Sequence, residues 1–501
     1  MSPTRQRRWY PDPVVLLSAA GLVGAWWLVS LAVGLPVILP PPPAVLLSVL
    51  RELGSPAFLS AVAVTALRAV LTLVISVLVA IPLGMLAARQ ALWERLLRPF
   101  MTTVRSVPFI SVILLAMVWF TSGRVPLFVA LLMVLPLVYE SARSGVAGID
   151  AHLFRLFNVH GITGAARVAH LLLPGARTAL NGGLRSANGI AWKVTVAAEV
   201  ISNPRSGIGV QMGEARLFLE TERLLAWTLV LIVLSTLSER LISRLTTVRL
   251  LPVRRELEPA PAARSAAGPE YQPAGVHLRG LRFGWPGQHD PVFRELSLTL
   301  AAGELVAVLG ASGVGKSSLL ALLADEVRPQ AGEIRLGDGE RCSVAFQRPA
   351  LLPWRSAAEH VRILGSDPGR AEQLREIMAL PPDIWGNTPD QLSGGMAQRL
   401  SLLLACARPG RVLLLDEPLS AIDEQQRQRV IGPLRRAVTT DRRPVVVVLH
   451  DAASALELAD RVIVLRGRPA LVALDQRRHP QRGDWENPSR LHTSIREVLD
   501  S

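Results

Sequence analysis

Six stretches in the first 250 residues are each long and apolar enough to approach the thickness of a hydrocarbon layer. Backbone buried in lipid must satisfy its own polar groups, so that half of the chain is expected to be helical and membrane-embedded. The first stretch, Val14 to Leu39, follows Arg5, Arg7 and Arg8. It starts like a secretory leader, but the run is too long and no small-residue cleavage site follows, so it is expected to stay as a membrane helix. The others lie near 58–87, 107–121, 125–142, 178–201 and 224–245, the third being short or partly re-entrant. Arg89, Arg95, Arg98 and Arg105 fall between the second and third, and Arg143, Arg155, Arg167 and Arg177 between the fourth and fifth. The positive-inside bias puts both loops in the cytoplasm. Six crossings from an inside N-terminus then return the chain to the cytoplasm at residue 246.

The rest reads as a soluble α/β domain, and composition divides the chain into a transmembrane domain at 1–250, a linker at 251–275, a nucleotide domain at 276–470 and a polar tail at 471–501. The linker carries Pro252, Pro259, Pro261, Pro269 and Pro273 among many alanines. A formal charge of +14 invites a nucleic-acid reading, but no compact basic run interleaves with aromatics, so no nucleic acid is expected as a partner. Cys342 and Cys406 match no metal or redox spacing and read as reduced packing residues. Only two of the 54 basic residues are lysine, Lys193 and Lys316. In so arginine-rich a chain, a surviving lysine marks a place where a compact ammonium is wanted.

Lys316 lies in Gly310-Ala-Ser-Gly-Val-Gly-Lys-Ser317, between the apolar strand Leu305-Val-Ala-Val-Leu309 and the helical run Ser318-Leu-Leu-Ala-Leu-Leu323. Strand, glycine-rich loop, helix is the setting of a phosphate-binding loop. Gly310, Ser312, Gly313, Gly315 and Ser318 would shape a cradle of backbone amides at a helix N-terminus. Lys316 would reach the β- and γ-phosphates of ATP, and Ser317 would ligate Mg²⁺. A second apolar strand, Val412 to Leu415, ends in Asp416 and Glu417. Asp416 would hold the Mg²⁺ shell and Glu417 would polarise the attacking water. Between them, Ser393-Gly-Gly395 opens another helix and offers a second set of amides to phosphate. Two phosphate-grasping elements in one domain make sense if each nucleotide is held between two copies of the chain.

Taken together, these motifs resemble the ABC transporter ATPases over the whole soluble half. The resemblance implies that Leu392-Ser-Gly-Gly-Met-Ala-Gln-Arg399 is the signature motif, with Ser393, Gly394, Gly395 and Gln398 acting on the opposite subunit's nucleotide. It implies that Gln347 senses Mg²⁺ and the membrane domain, that Asp423 is the D-loop residue and that His450 contacts the γ-phosphate. Trp285 would stack on adenine, with Phe283 the alternative. Leu404 and Leu449 depart from residues common in the family, and neither change removes a group that touches nucleotide.

Lys193 raises a different question, because a cation in a spanning segment costs about 2.5–3.5 kcal/mol unless it is paired or wet. It could line the translocation path, pair with Glu140 or Glu199, or snorkel to a helix end. Lys193 and Glu199 are six residues apart, about 240° around a helix, so Glu140 is the better structural partner. Arg68 and Arg185 also lie near membrane depth and read as interface or coupling residues.

The first half resembles importer permeases of the nitrate, sulfonate, taurine and bicarbonate group, through Leu39-Pro-Pro-Pro-Pro43, Ala191-Trp-Lys-Val-Thr-Val-Ala-Ala-Glu199 and Gly207-Ile-Gly209. Gly161 and Pro174 fit that group's coupling loop, although Arg155-Leu-Phe157 stands where its Glu-Ala-Ala would be. The expected fold is multi-domain: an all-α polytopic, type I importer-like membrane domain followed by an α/β P-loop ABC ATPase. The resemblance implies a homodimer in the bacterial inner membrane, in contact with membrane lipid, with a cytoplasmic ATPase and a separate periplasmic or lipid-anchored solute-binding protein. Its cargo would be a small organic anion or a heteroaromatic vitamin precursor. An exporter or an ATP-driven signalling complex is the rival expectation, weakened because exporters commonly carry longer helices running into the cytoplasm.

Overall fold

The computed structural model describes residues 13–247, 275–288, 290–336, 342–418, 431–432, 434–435, 443–478, 485 and 487–500. The expected linker therefore lies outside the described residues, apart from Gly275. The chain divides into two compact units, one of Met1–Ile149 with Gly175–Pro252 and the other of Asp150–Pro174 with Val253–Ser501. A short piece interrupting the helical half thus groups with the α/β half.

The first unit is helical: α1 (Pro13–Val33), α2 (Pro42–Leu53), α3 (Pro56–Arg89), α4 (Ala91–Ser106), α5 (Phe109–Trp119) and α6 (Val125–Ala147), then α9 (Leu173–Ser202), α10 (Ile208–Leu217) and α11 (Thr221–Thr247). Helices α7 (Ala151–Val159) and α8 (Gly164–Arg167), with a π-helical turn at Val168–Leu172, form the interrupting piece. Each of the six apolar stretches lies wholly or mostly on a helix, the first running past the end of α1 and the third past both ends of α5. Among the described residues, however, only α3, α6 and Thr221–Leu245 of α11 are long and apolar enough to cross a membrane. The pair α4–α5, bent by 100°, makes a fourth if counted as one span.

The shortfall from six has physical causes. Helix α9 is long but carries Arg177, Arg185, Lys193, Glu199 and the polar run Asn181-Gly-Gly. The third stretch, α5, has 11 residues; at about 1.5 Å per residue it cannot span alone. The buried heart of this unit packs α3 along α6 through Leu73, Ala80, Ala87, Val134 and Val138.

The second unit contains two sheets. A three-stranded antiparallel sheet has the order β2-β1-β4, from β1 (Val276–Phe283), β2 (Phe293–Leu300) and β4 (Ala331–Leu336). A six-stranded sheet has the order β5-β6-β7-β3-β8-β9, from β3 (Leu305–Gly310), β5 (Ser343–Ala345), β6 (Leu413–Asp416), β7 (Val445–Val448), β8 (Arg461–Arg466) and β9 (Leu471–Arg477). All its pairings are parallel except β8 with β9. Strands β3 and β7 are buried along their whole length, as strands covered on both faces must be. Helices α12 (Lys316–Leu323), α13 (Ala357–Leu364), α14 (Pro368–Ile377) and α15 (Gly394–Ala407) complete the parts that matter here. Residues after 470, expected as a polar tail, begin with the edge strand β9 and include the helix Pro488–Asp500. Both cysteines are buried and outside any disulfide among the described residues, and burial pushes the Cys342 thiol up to about 12, so it stays protonated and inert.

Candidate active site

Parallel sheets gather their chemistry beyond the carboxyl ends of neighbouring strands. In the order β6-β7-β3, the register aligns Asp416 with Val448 and Val448 with Val308. Gly310, Asp416, Glu417 and His450 therefore end or follow three adjacent strands.

From β3 the chain turns through a loop in which Gly310, Gly313 and Gly315 have φ of +155°, +77° and +119°. A Cβ on Gly310 would lie 2.6 Å from the Leu465 carbonyl oxygen, and one on Gly315 would lie 2.5 Å from Val292 Cγ1. Both positions need glycine for conformation and for space. Helix α12 then opens at Lys316, and its first-turn amides are free of intrahelical partners. Lys316 Nζ donates to the Gly310 and Ala311 carbonyls at 2.7 and 3.1 Å. Burial lowers its pKa, and the charges of Glu417 and Asp416 oppose that shift. Ser312 and Ser317 are exposed on the same loop.

Asp416 Oδ2 accepts from Ser317 Oγ at 3.5 Å. Burial and the adjacent Glu417 charge raise the Asp416 pKa, against the opposing pull of Ser317, Arg155 and Lys316. Such a pair suits a divalent cation. Among the described residues no group of three or more His, Cys, Asp and Glu side chains gathers. That fits Mg²⁺, which takes one or two carboxylates and completes its shell with water and phosphate. Glu417 sits at φ +46°, its amide donates to the Val448 carbonyl at 3.1 Å, and its Oε2 accepts from Gln347 Nε2 at 2.8 Å. Gln347, expected beside the metal, here holds the carboxylate next to it.

Of the two aromatic candidates, Phe283 is 3 % exposed and Trp285 40 % exposed, so only Trp285 presents a ring for stacking. The rings meet edge to face at 5.3 Å, and the Trp285 indole N–H donates to Ser318 Oγ at 3.0 Å, tying the aromatic to α12. His450 is exposed just past β7. Ser393 caps α15 by accepting from the Met396 amide, and Ser393 and Gly394 are exposed. Gln398 is 2 % exposed. It falls one turn after Gly394, on the face that carries the buried Leu402. Asp423 lies outside the described residues. Sequence reading missed Arg468, whose Nη2 donates to the Gly313 carbonyl at 3.1 Å. Only the adjacency of β3 and β8 brings that turn to the loop.

Residues 293–420 match the ABC transporter family, and residues 80–246 match the binding-protein-dependent transport system inner membrane component. An aliphatic sulfonates import ATP-binding protein of Xanthomonas axonopodis pv. citri is 40 % identical over 217 residues, covering 40 % of this chain and 84 % of that protein. The chain belongs to the ABC transporters. A protein of the same description from Granulibacter bethesdensis is 45 % identical over 179 residues, covering 35 % of this chain and 73 % of the relative. A taurine import ATP-binding protein of Pseudomonas fluorescens is 37 % identical over 215 residues, covering 39 % of this chain and 80 % of the relative. As an ABC transporter, this membrane protein binds ATP and couples its hydrolysis to transport, with the cassette and the permease component on one polypeptide.

That arrangement gives residues 150–174 their interest. Helix α7 is capped by Asp150, which accepts from the His152 amide at 2.9 Å. Its other end closes with the Gly161 amide on the Asn158 carbonyl and the Ile162 amide on the Phe157 carbonyl. With Gly161 at φ +67°, this is a Schellman turn, which explains the glycine. Pro174 has no N–H, so the His170 carbonyl lacks its ordinary α-helical donor. The Trp354 indole supplies one at 3.0 Å. Arg408 donates to the His160 carbonyl at 3.3 Å. Burial, helped by the Arg408 charge, holds His160 down at about 3, and burial with Arg355 lowers His170.

Arg155, standing where the family pattern has glutamate, pairs with Glu326 just past α12 at 2.9 Å. Its guanidinium lies 5.3 Å from the Phe346 ring centroid, next to Gln347, and its charge reaches Asp416. Couplings between sites are typically about 1–3 kcal/mol, or about 5- to 150-fold. Arg155→Glu is expected to reduce transport-linked ATP turnover about fivefold or more, and the double variant with Glu326→Arg should recover most of it. Equal rates for wild type and Arg155→Glu would remove the pair from coupling.

Within the membrane unit, Lys193 is exposed on α9 and makes no hydrogen bond or ion pair among the described residues. Of the three readings of Lys193, the pair with Glu140 is not formed. Glu140 instead binds Arg143 at 2.7 Å, and Arg143 also meets Glu94 at 3.3 Å. Glu199 is wholly buried and pairs with Arg68 at 2.6 Å. It also accepts from Thr65 Oγ1 at 2.9 Å and from the Gly209 amide at 3.0 Å.

Proposed function

We propose that two copies of this chain form an importer in the bacterial inner membrane that uses ATP to take up a small organic anion of the sulfonate or taurine type. A separate solute-binding protein delivers the cargo. The observation that carries this reading is the joining of an importer-type permease match and an ATP-binding cassette in one polypeptide whose relatives are named for sulfonate and taurine import. This reading keeps domain limits near 250 and 275, as composition suggests, with the cassette in the cytoplasm.

In this reading each nucleotide lies between the phosphate loop of one copy and Ser393, Gly394 and Gly395 of the other, with Asp423 at the seam. Trp285 stacks on adenine, the loop amides and Lys316 hold the phosphates, and His450 approaches the terminal one. Ser317, Asp416 and Gln347 would hold Mg²⁺, which neutralises phosphate charge when bound. Glu417 takes the proton from the attacking water. Gly161 and Pro174 shape the segment that carries the cassette's movement to the permease. Lys193 lines the path, where an exposed ammonium with no ion pair among the described residues suits an anionic cargo.

The test is ATP-driven uptake of labelled taurine and alkanesulfonates by proteoliposomes holding the whole chain, with the binding protein on the outside. Uptake that needs both ATP and the binding protein is expected, and Lys193→Ala should reduce it while nucleotide binding persists. Transport in the opposite direction without any binding protein would make the chain an exporter.

A further inference from the structure

A cavity of about 210 Å³ opens beside the last two turns of α6, and Arg98, Arg105 and Arg143 line it with Met101, Thr102, Pro136, Tyr139 and Glu140. From this end of α6 the chain passes into residues 150–174, the piece that groups with the cassette. Three features separate it from an ordinary basic rim. Arg98 and Arg105 are seven residues apart on α4, on one face with Thr102 between them. Both are exposed, and neither side chain makes a hydrogen bond or ion pair among the described residues. Arg143, by contrast, is fixed by Glu140 and Glu94, so the cavity wall keeps a preset guanidinium and two free ones. Third, Tyr139 is 2 % exposed, and its hydroxyl is buried without a hydrogen-bond partner. An orphaned buried hydroxyl costs stability unless something completes it.

We propose that this cavity binds a small tetrahedral oxyanion, of the sulfonate or sulfate type, at the end of α6 from which the chain runs on into residues 150–174. Guanidinium groups bind such oxygens through paired N–H donors, and a planar fork does this better than an ammonium. The volume lies below the about 300–1,000 Å³ typical of drug-sized ligands, so an anion of few heavy atoms fits. If the cargo is a sulfonate, as proposed above, the cavity is where it rests before release, and internal cargo refills it.

Isothermal titration of the whole chain in neutral detergent, without anionic lipid, tests this with taurine, methanesulfonate, inorganic sulfate and inorganic phosphate. One site per chain is expected. Arg98→Gln with Arg105→Gln should weaken it at least tenfold while basal ATP hydrolysis stays unchanged. Tyr139→Phe, which preserves volume and packing, should weaken it severalfold. A preference for the organic sulfonates points to cargo, and equal binding of sulfate or phosphate points to a cytosolic or headgroup anion at the same site. Either result supports the site. Undiminished affinity in the double arginine variant, or no heat with any of the four anions, overturns it. Binding without sulfonate uptake in the proteoliposomes would leave this site standing and remove the cargo assignment. Uptake without binding would do the reverse.

Discussion

Glu417→Gln should stop ATP turnover and leave ATP bound. Glu417 follows the strand that ends in Asp416, and its backbone is held by the Val448 carbonyl at a φ of +46°. A residue that is not glycine rarely adopts that conformation unless its surroundings impose it. The turn aims the carboxylate out of the sheet, where Gln347 donates to it at 2.8 Å. Glutamine has the same shape and can accept the same bond, so the fold and the phosphate loop should be undisturbed. What disappears is the ability to take a proton from water. General-base catalysis contributes about 10²- to 10⁴-fold, so phosphate release should fall by about that factor, with ATP retained on a filter after washing. Turnover within about threefold of wild type, far short of that range, would remove Glu417 from the chemistry. Gln347→Ala separates positioning from chemistry: it frees the carboxylate but keeps it, so only a partial loss is expected.

How much of this was legible in the sequence depends on how far apart the interacting residues are. The phosphate loop and the pair Asp416-Glu417 were readable because strand, turn and helix follow one another within a few residues, and each turn's chemistry is local. The burial of Gln398 was not legible, for the opposite reason. A motif gives the order of residues but not which side of α15 faces the domain, and burial of the Leu402 face decided that. Glu140 was the better structural partner open to Lys193, yet Arg143, three residues along the same helix, takes that carboxylate. The Arg155–Glu326 pair joins residues 171 apart, and the Arg68–Glu199 pair joins residues 131 apart. No periodicity reports such contacts. A faint signal for the second did exist in Gly207-Ile-Gly209, because a Cβ on Gly207 would lie 2.6 Å from Glu199 Cδ and one on Gly209 would lie 2.5 Å from Glu199 Cβ. The two glycines mark a backbone pressed onto a buried side chain.

That buried pair carries the second large effect. Glu199 has no exposed surface, and its oxygens are taken up by Arg68, Thr65 and the Gly209 amide. Arg68 also donates to the Ser206 carbonyl at 3.1 Å, so one guanidinium ties α3 to the end of α9 and to the entry of α10. Removing one partner of a buried ion pair costs about 3–5 kcal/mol, because the other charge is left unpaired in a poor solvent. Arg68→Met should therefore lower the unfolding midpoint in detergent by roughly 6–20 °C, at about 2–4 °C per kcal/mol. Adding Glu199→Gln should restore much of the loss, since a neutral pair needs no counter-charge. A residue on the transport path would behave otherwise: Glu199→Gln alone would change uptake, and Arg68→Met would leave the midpoint where it was. The sign of the double variant decides between these. Recovery of stability means that Glu199 holds three helices together and acts in packing, where Arg68, Thr65 and the Gly209 amide meet it.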